Sequence, residues 1–73
     1  MFDMDFRHLK TLVAIAEHKS FAAAADAIGL IQSAVSLHVK ALEDQLQTTL
    51  FDRTTRPPLL NTQGTALVEK ARE

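Results

Sequence analysis

The side chains best equipped for chemistry here are amides, hydroxyls, imidazoles and scattered cations. Gln32, Ser33, Ser36 and Lys40 recur, with Leu37 among them, on the side of a helical projection opposite Val35, Val39, Leu42 and Leu46. A glutamine can pair with adenine through two hydrogen bonds, and a serine hydroxyl can donate to or accept from a base edge. Arg53 and Arg56 follow, and both suit a phosphate backbone. His8, His18 and His38 are the best metal ligands available, but none has a second histidine three to five residues away. Solvated or hydrogen-bonded imidazoles are therefore expected, and no metal site. Glu43 and Asp44 are sequence neighbours that diverge by about 100° on a helix, so they form no acid/base pair. The chain has no cysteine and only two glycines. It shows no nucleophile elbow, phosphate-cradling loop or catalytic triad, and enzymatic activity is not expected.

Short elements must position these groups. Phe6, Leu9, Val13 and Ala16 recur at helical spacing, widened by Leu12 and Ile15, and predict a first helix capped by Asp3 or Asp5. Ser20 is placed to cap a second helix, Phe21 to Ile28, whose Ala22–Ala25 run gives high helix propensity and a small surface. Gly29 can end it in the left-handed conformation. A third helix runs from about Gln32 to Gln47. Leu50–Arg53 and Pro58–Asn61 then flank a turn-rich centre, which predicts a two-stranded ribbon whose prolines confine it to an edge. Asn61 can cap a final helix carrying Leu67, Val68 and Ala71, which still runs at Glu73 as a truncated helix would.

Two helices joined by a short glycine-containing turn, the first rich in alanine, describe a helix-turn-helix. The small residues have a geometric purpose: the helices cross steeply and touch near Ala24 and Ala25. Leu30 plugs the junction and Val35 anchors the second helix. Periodicity alone leaves a plain three-helix bundle with a solvated polar face equally open.

Seventy-three residues allow one small domain. At this size the folded surface is about 4,500 Å² against about 11,700 Å² unfolded, so roughly 62% is buried and the core is marginal. The 47% apolar content suffices to build it. No apolar run approaches a membrane span, and the amino terminus is acidic rather than signal-like. Net charge is −1, from eight basic and nine acidic residues. Residues 50–62 form the one net-positive segment, with two bases against one acid. The charge is distributed rather than basic, so only modest non-specific affinity for nucleic acid is expected.

Several runs together carry a more specific signal: Phe6-Arg7-His8-Leu9-Lys10, Ser20-Phe21-Ala22-Ala23-Ala24-Ala25-Asp26-Ala27-Ile28, Gln32-Ser33-Ala34-Val35-Ser36, Leu42-Glu43, Leu50-Phe51-Asp52-Arg53 and Leu60-Asn61-Thr62-Gln63-Gly64. In this order and spacing the chain resembles the amino-terminal DNA-binding domain of the LysR-type transcriptional regulators. The resemblance implies a mainly α, winged helix-turn-helix fold: three helices, a short two-stranded β wing and a carboxy-terminal linker helix. Residues 1–61 would be the DNA-binding domain and 62–73 the start of the linker. It implies a bacterial, cytoplasmic regulator that binds pseudo-palindromic promoter DNA as a homodimer, and commonly a tetramer. A small-molecule effector would bind in a further domain, and no cofactor is implied for this segment. Gln32, Ser33, Ser36, Leu37, His38 and Lys40 fall where the family's recognition helix, about 32–47, meets the major groove. The wing spans about 50–61. Arg53 is expected on a phosphate and Arg56 in the minor groove. Leu67, Val68 and Ala71 belong to the helix through which dimers pair.

Two positions depart from the family pattern. Ile31 stands where a serine or threonine usually caps the recognition helix, at a cost of about 1 kcal/mol. Leu37 replaces a more usual polar or basic side chain, and is either tolerated surface or a contact for a thymine methyl group. His38, beside the expected DNA face, would favour phosphate when protonated, so binding should tighten as pH falls toward about 6. A helical protein-interaction module pairing through its last helix is the competing reading, and duplex binding as a function of salt separates the two.

Overall fold

The computed structural model describes residues 6–55 and 58–72. The element order is α1 (Phe6–His18), α2 (Phe21–Ile28), α3 (Gln32–Leu46), β1 (Phe51–Asp52), β2 (Leu59–Leu60) and α4 (Thr62–Ala71). Local chemistry sets most of these boundaries. Ser20 Oγ accepts the Ala23 N–H at 3.0 Å, in the extended conformation an N-cap requires. Gly29, at φ 74°, turns the chain out of α2. Asn61 Oδ1 accepts the Gly64 N–H at 2.8 Å and opens α4. Ile31 precedes α3 in extended conformation with no side-chain hydrogen bond to the helix. The proposed caps Asp3 and Asp5 lie outside the described residues. Lys19 (φ 62°) and Gln47 (φ 56°) end α1 and α3 in left-handed conformations that glycine adopts more cheaply.

α2 and α3 meet at 103°, within the range of a helix-turn-helix. Ala24 and Ala25 are buried at the crossing, as their size predicts, and Val35 is fully buried against them. The core comprises Leu12, Ala14, Ile15, Ala24, Ala25, Val35, Val39, Leu42, Leu50, Phe51 and Val68. β1 and β2 pair antiparallel, Phe51 opposite Leu60 and Asp52 opposite Leu59. Phe51 packs edge-on against Phe21 at a ring separation of 5.2 Å, tying the wing to α2.

Two expectations change. Phe6, read as the start of the core stripe of α1, is 84% exposed. α1 carries apolar residues on two sides; the core takes Leu12 and Ile15 together with Thr11 and Ala14. Phe6, Leu9 and Val13 instead line a groove of about 560 Å³ with Leu67 and Ala71 of α4. Val68, assigned to a dimer seam, is buried in the domain core, because α4 lies back against α1. Leu67 and Ala71 remain on the groove side.

Candidate nucleic-acid interface

α3 is locked in place by its inner face, Val35, Val39 and Leu42. Ser33, Leu37, Lys40 and Asp44, at i, i+4, i+7 and i+11, form its outward stripe, and all four are exposed. Leu37 is 66% exposed. Gln32 and Ser36 are exposed on the flank nearer the wing. There they line a cleft of about 330 Å³ together with Ser20, Ala22, Arg53 and Pro58. The structure thus gathers Gln32, Ser33, Ser36, Leu37, Lys40 and Arg53 on one side of the molecule. Arg56 lies outside the described residues.

His38 is drawn off this stripe. Its ring is half-buried against α1, 4.7 Å from the His8 ring, and its Nδ1 is 2.8 Å from Thr11 Oγ1. Thr11 donates its hydroxyl proton to the Arg7 carbonyl at 3.0 Å. The hydroxyl oxygen is then left to accept, which assigns the Nδ1 hydrogen to His38. Thr11 is 1% exposed, so this contact between α1 and α3 is shielded from water. The sequence places His38 beside the expected DNA face, and in the structure its ring is turned toward α1. The histidine pair also arises across two helices, where spacing along the chain gives no sign of it. Among the described residues, no group of three or more histidines and carboxylates assembles into a metal site.

Arg53 is braced on both sides. Its Nη2 pairs with Glu43 Oε1 at 3.1 Å, while Glu43 Oε2 accepts the Leu50 N–H at 2.8 Å. On the wing side, Asp52 Oδ1 accepts the Thr54 N–H at 2.9 Å and the Thr54 hydroxyl, and the Asp52 carbonyl accepts the Thr55 hydroxyl. This turn fixes the backbone immediately beyond Arg53. The Thr54 hydroxyl, then the Thr54 amide, hold the Asp52 carboxyl below its ordinary pKa, against a small opposing effect of desolvation. Reading the sequence missed Glu43 and Thr11; both act through partners distant in the chain.

Residues 6–65 match the family described as bacterial regulatory helix-turn-helix protein, lysR family. The chain is 44% identical over 69 residues to a hydrogen peroxide-inducible genes activator of Pectobacterium carotovorum subsp. carotovorum, covering 94% of this chain and 23% of that protein. The chain therefore spans about a quarter of the length of this relative and of others like it. Among solved structures, it superposes on the BenM DBD/catB site 1 DNA complex with a TM-score of 0.89 at 33% identity, covering 94% of this chain and 74% of that one. The CbnR DBD–DNA complex gives 0.88 at 38% identity, covering 94% and 79%.

Proposed function

The chain belongs to the LysR family of bacterial helix-turn-helix regulators, and from that premise we propose that it reads double-stranded promoter DNA as the DNA-binding end of a longer transcription regulator. The observation that carries this reading is the outward stripe of α3, standing clear of the core beside the braced Arg53. Gln32, Ser33, Ser36, Leu37 and Lys40 would enter the major groove, Arg53 would take a phosphate, and Arg56 the adjacent minor groove. Leu37 is the member suited to a thymine methyl. Replacing it with arginine and repeating a binding-site selection tests that assignment, and an unchanged site preference removes it. Residues 62–73 begin the linker helix, and a second copy pairs across the groove of Phe6, Leu9, Leu67 and Ala71. Full-length assemblies would be dimers or tetramers in the cytoplasm, with a small-molecule effector bound in a further domain. Among the described residues no single helix is long and apolar enough to cross a membrane. The apolar groove also supports the protein-interaction reading.

Titrating duplex DNA over a salt series separates them. Each phosphate contact contributes about 0.9 to the slope of log K against log salt, so Arg53→Ala should flatten the slope on a selected site by about that amount. No duplex binding even at low salt would leave only the interaction module.

A further inference from the structure

Glu43 sits on the flank of α3 that faces the wing, and it is used three ways. Its main-chain carbonyl accepts the Gln47 and Thr48 N–H groups and closes α3. One carboxylate oxygen accepts the Leu50 N–H and sets the start of β1; the other pairs with Arg53. The Glu43 side chain is only 13% exposed, whereas that of Arg53 is 56% exposed. The acid is thus held within the fold while the cation faces outward.

This pairing changes what Arg53 offers DNA. Sequence-independent binding depends on the number of uncompensated cations near the phosphates. A guanidinium next to a carboxylate is nearly neutral at a distance and adds little to that attraction. Nη2 alone is committed to Glu43, and a guanidinium carries five N–H donors. The others can still make short, directional bonds once docking brings a phosphate to a guanidinium already held in place. We infer that Glu43 is a specificity-determining residue: it cancels the charge of Arg53 in non-specific complexes and fixes its pose for one phosphate in the docked complex. This rests on the DNA-binding reading above. It also gives the near-neutral composition of the chain a use, since discrimination is gained as much by weakening wrong complexes as by strengthening the right one.

The test titrates the wild-type chain, Glu43→Gln and the double variant Glu43→Gln with Arg53→Ala over a KCl series. The probes are a duplex that the wild type enriches from a random pool and a random-sequence duplex. Glutamine keeps an oxygen for the Leu50 N–H but cannot neutralise Arg53. On the random duplex Glu43→Gln should steepen the salt slope by about 0.9, which is about eightfold tighter binding at 0.1 M than extrapolation from 1 M would give for the wild type. Its affinity for the enriched duplex should rise less, so the preference ratio falls. Removing the whole pair, in the double variant Glu43→Gln with Arg53→Ala, should lose affinity for the enriched duplex while moving the random-duplex slope by far less than 0.9, because a nearly neutral pair is deleted. An unchanged or flatter random-duplex slope for Glu43→Gln overturns the inference, as does a full-unit loss there for the double variant. Should Glu43→Gln fail to fold, as judged by thermal unfolding, Arg53→Lys decides. It keeps the charge but not the planar fork, so affinity for the enriched duplex should fall while the random-duplex slope holds, and an undiminished preference overturns the inference. A wild type that binds neither duplex overturns the DNA-binding reading itself, and this inference with it.

Discussion

Replacing Gly64 with alanine should destabilise the domain, although helix propensity argues the opposite. Gly64 lies in the first turn of α4, buried where the helix meets the wing. A Cβ there would collide with the Leu50 carbonyl oxygen and come within 2.7 Å of Leu60 Cδ2. The leucine side chain can rotate away, but the carbonyl is held, because it accepts the Asn61 N–H at 2.9 Å. Relief therefore requires α4 to lift, which loosens that bond and the neighbouring one from Asn61 Nδ2 to the Thr49 carbonyl. Alanine in place of glycine gains about 1 kcal/mol of helix propensity. Overpacking costs about 1–3 kcal/mol, and a weakened hydrogen bond about 1 kcal/mol more. The net loss is about 2 kcal/mol, which in a domain of this size lowers Tm by about 8–16 °C. Thermal unfolding followed by circular dichroism reads this directly. A Tm equal to or above that of the wild type would show that α4 does not approach the wing as described.

Three further outcomes are expected. Ile31→Ser should raise stability by about 1 kcal/mol, since the backbone at this N-cap is already extended and the isoleucine is 71% exposed; denaturant unfolding that finds no gain refutes it. Thr11→Val should cost about 1–3 kcal/mol by leaving the His38 Nδ1–H buried without its acceptor. Nitrogen chemical shifts of the His38 ring check the tautomer, and a ring protonated only at Nε2 would contradict it. Asp52 has a depressed native-state pKa, so its contribution is complete above the unfolded value of about 3.9 and is lost as pH falls through the lower native value. The difference in stability between wild type and Asp52→Asn should therefore be constant near neutrality and shrink in acid; a difference independent of pH down to full protonation would refute the Thr54 contacts.

What could be read from the sequence was local. Ser20, Gly29 and Asn61 announce themselves because a cap acts on a backbone group within three or four residues, whatever the rest of the chain does. Ile31 is legible for the same reason, through the hydroxyl it lacks. The alanines of α2 signal a close helix crossing because only small side chains permit one. Periodicity was less discriminating for α1, where two apolar sides compete for the core and residue type cannot say which wins. Phe6 was misplaced on that account, as was Val68, whose neighbours Leu67 and Ala71 are equally apolar. Groups whose partners lie far along the chain left no signature. Glu43 resembles any solvated helix carboxylate until Leu50 and Arg53 are brought to it, and Thr11 any helical threonine until His38 arrives. Gly64 stood in a recognisable run of residues, but the reason for a glycine there is the carbonyl of Leu50.

α4 is fastened at its root by successive contacts: the Asn61 cap, the close approach at Gly64 and the buried Val68. An ion pair from Arg72 to Glu17 of α1, at 3.4 Å, adds a tie near its far end. Gripped at these points, α4 is coupled directly to α1 and the wing. Were two copies to pair through α4, as proposed above, the angle between the two helices would set the separation and tilt of the two domains. A change of that angle would then become a change in the spacing of the DNA sites they reach.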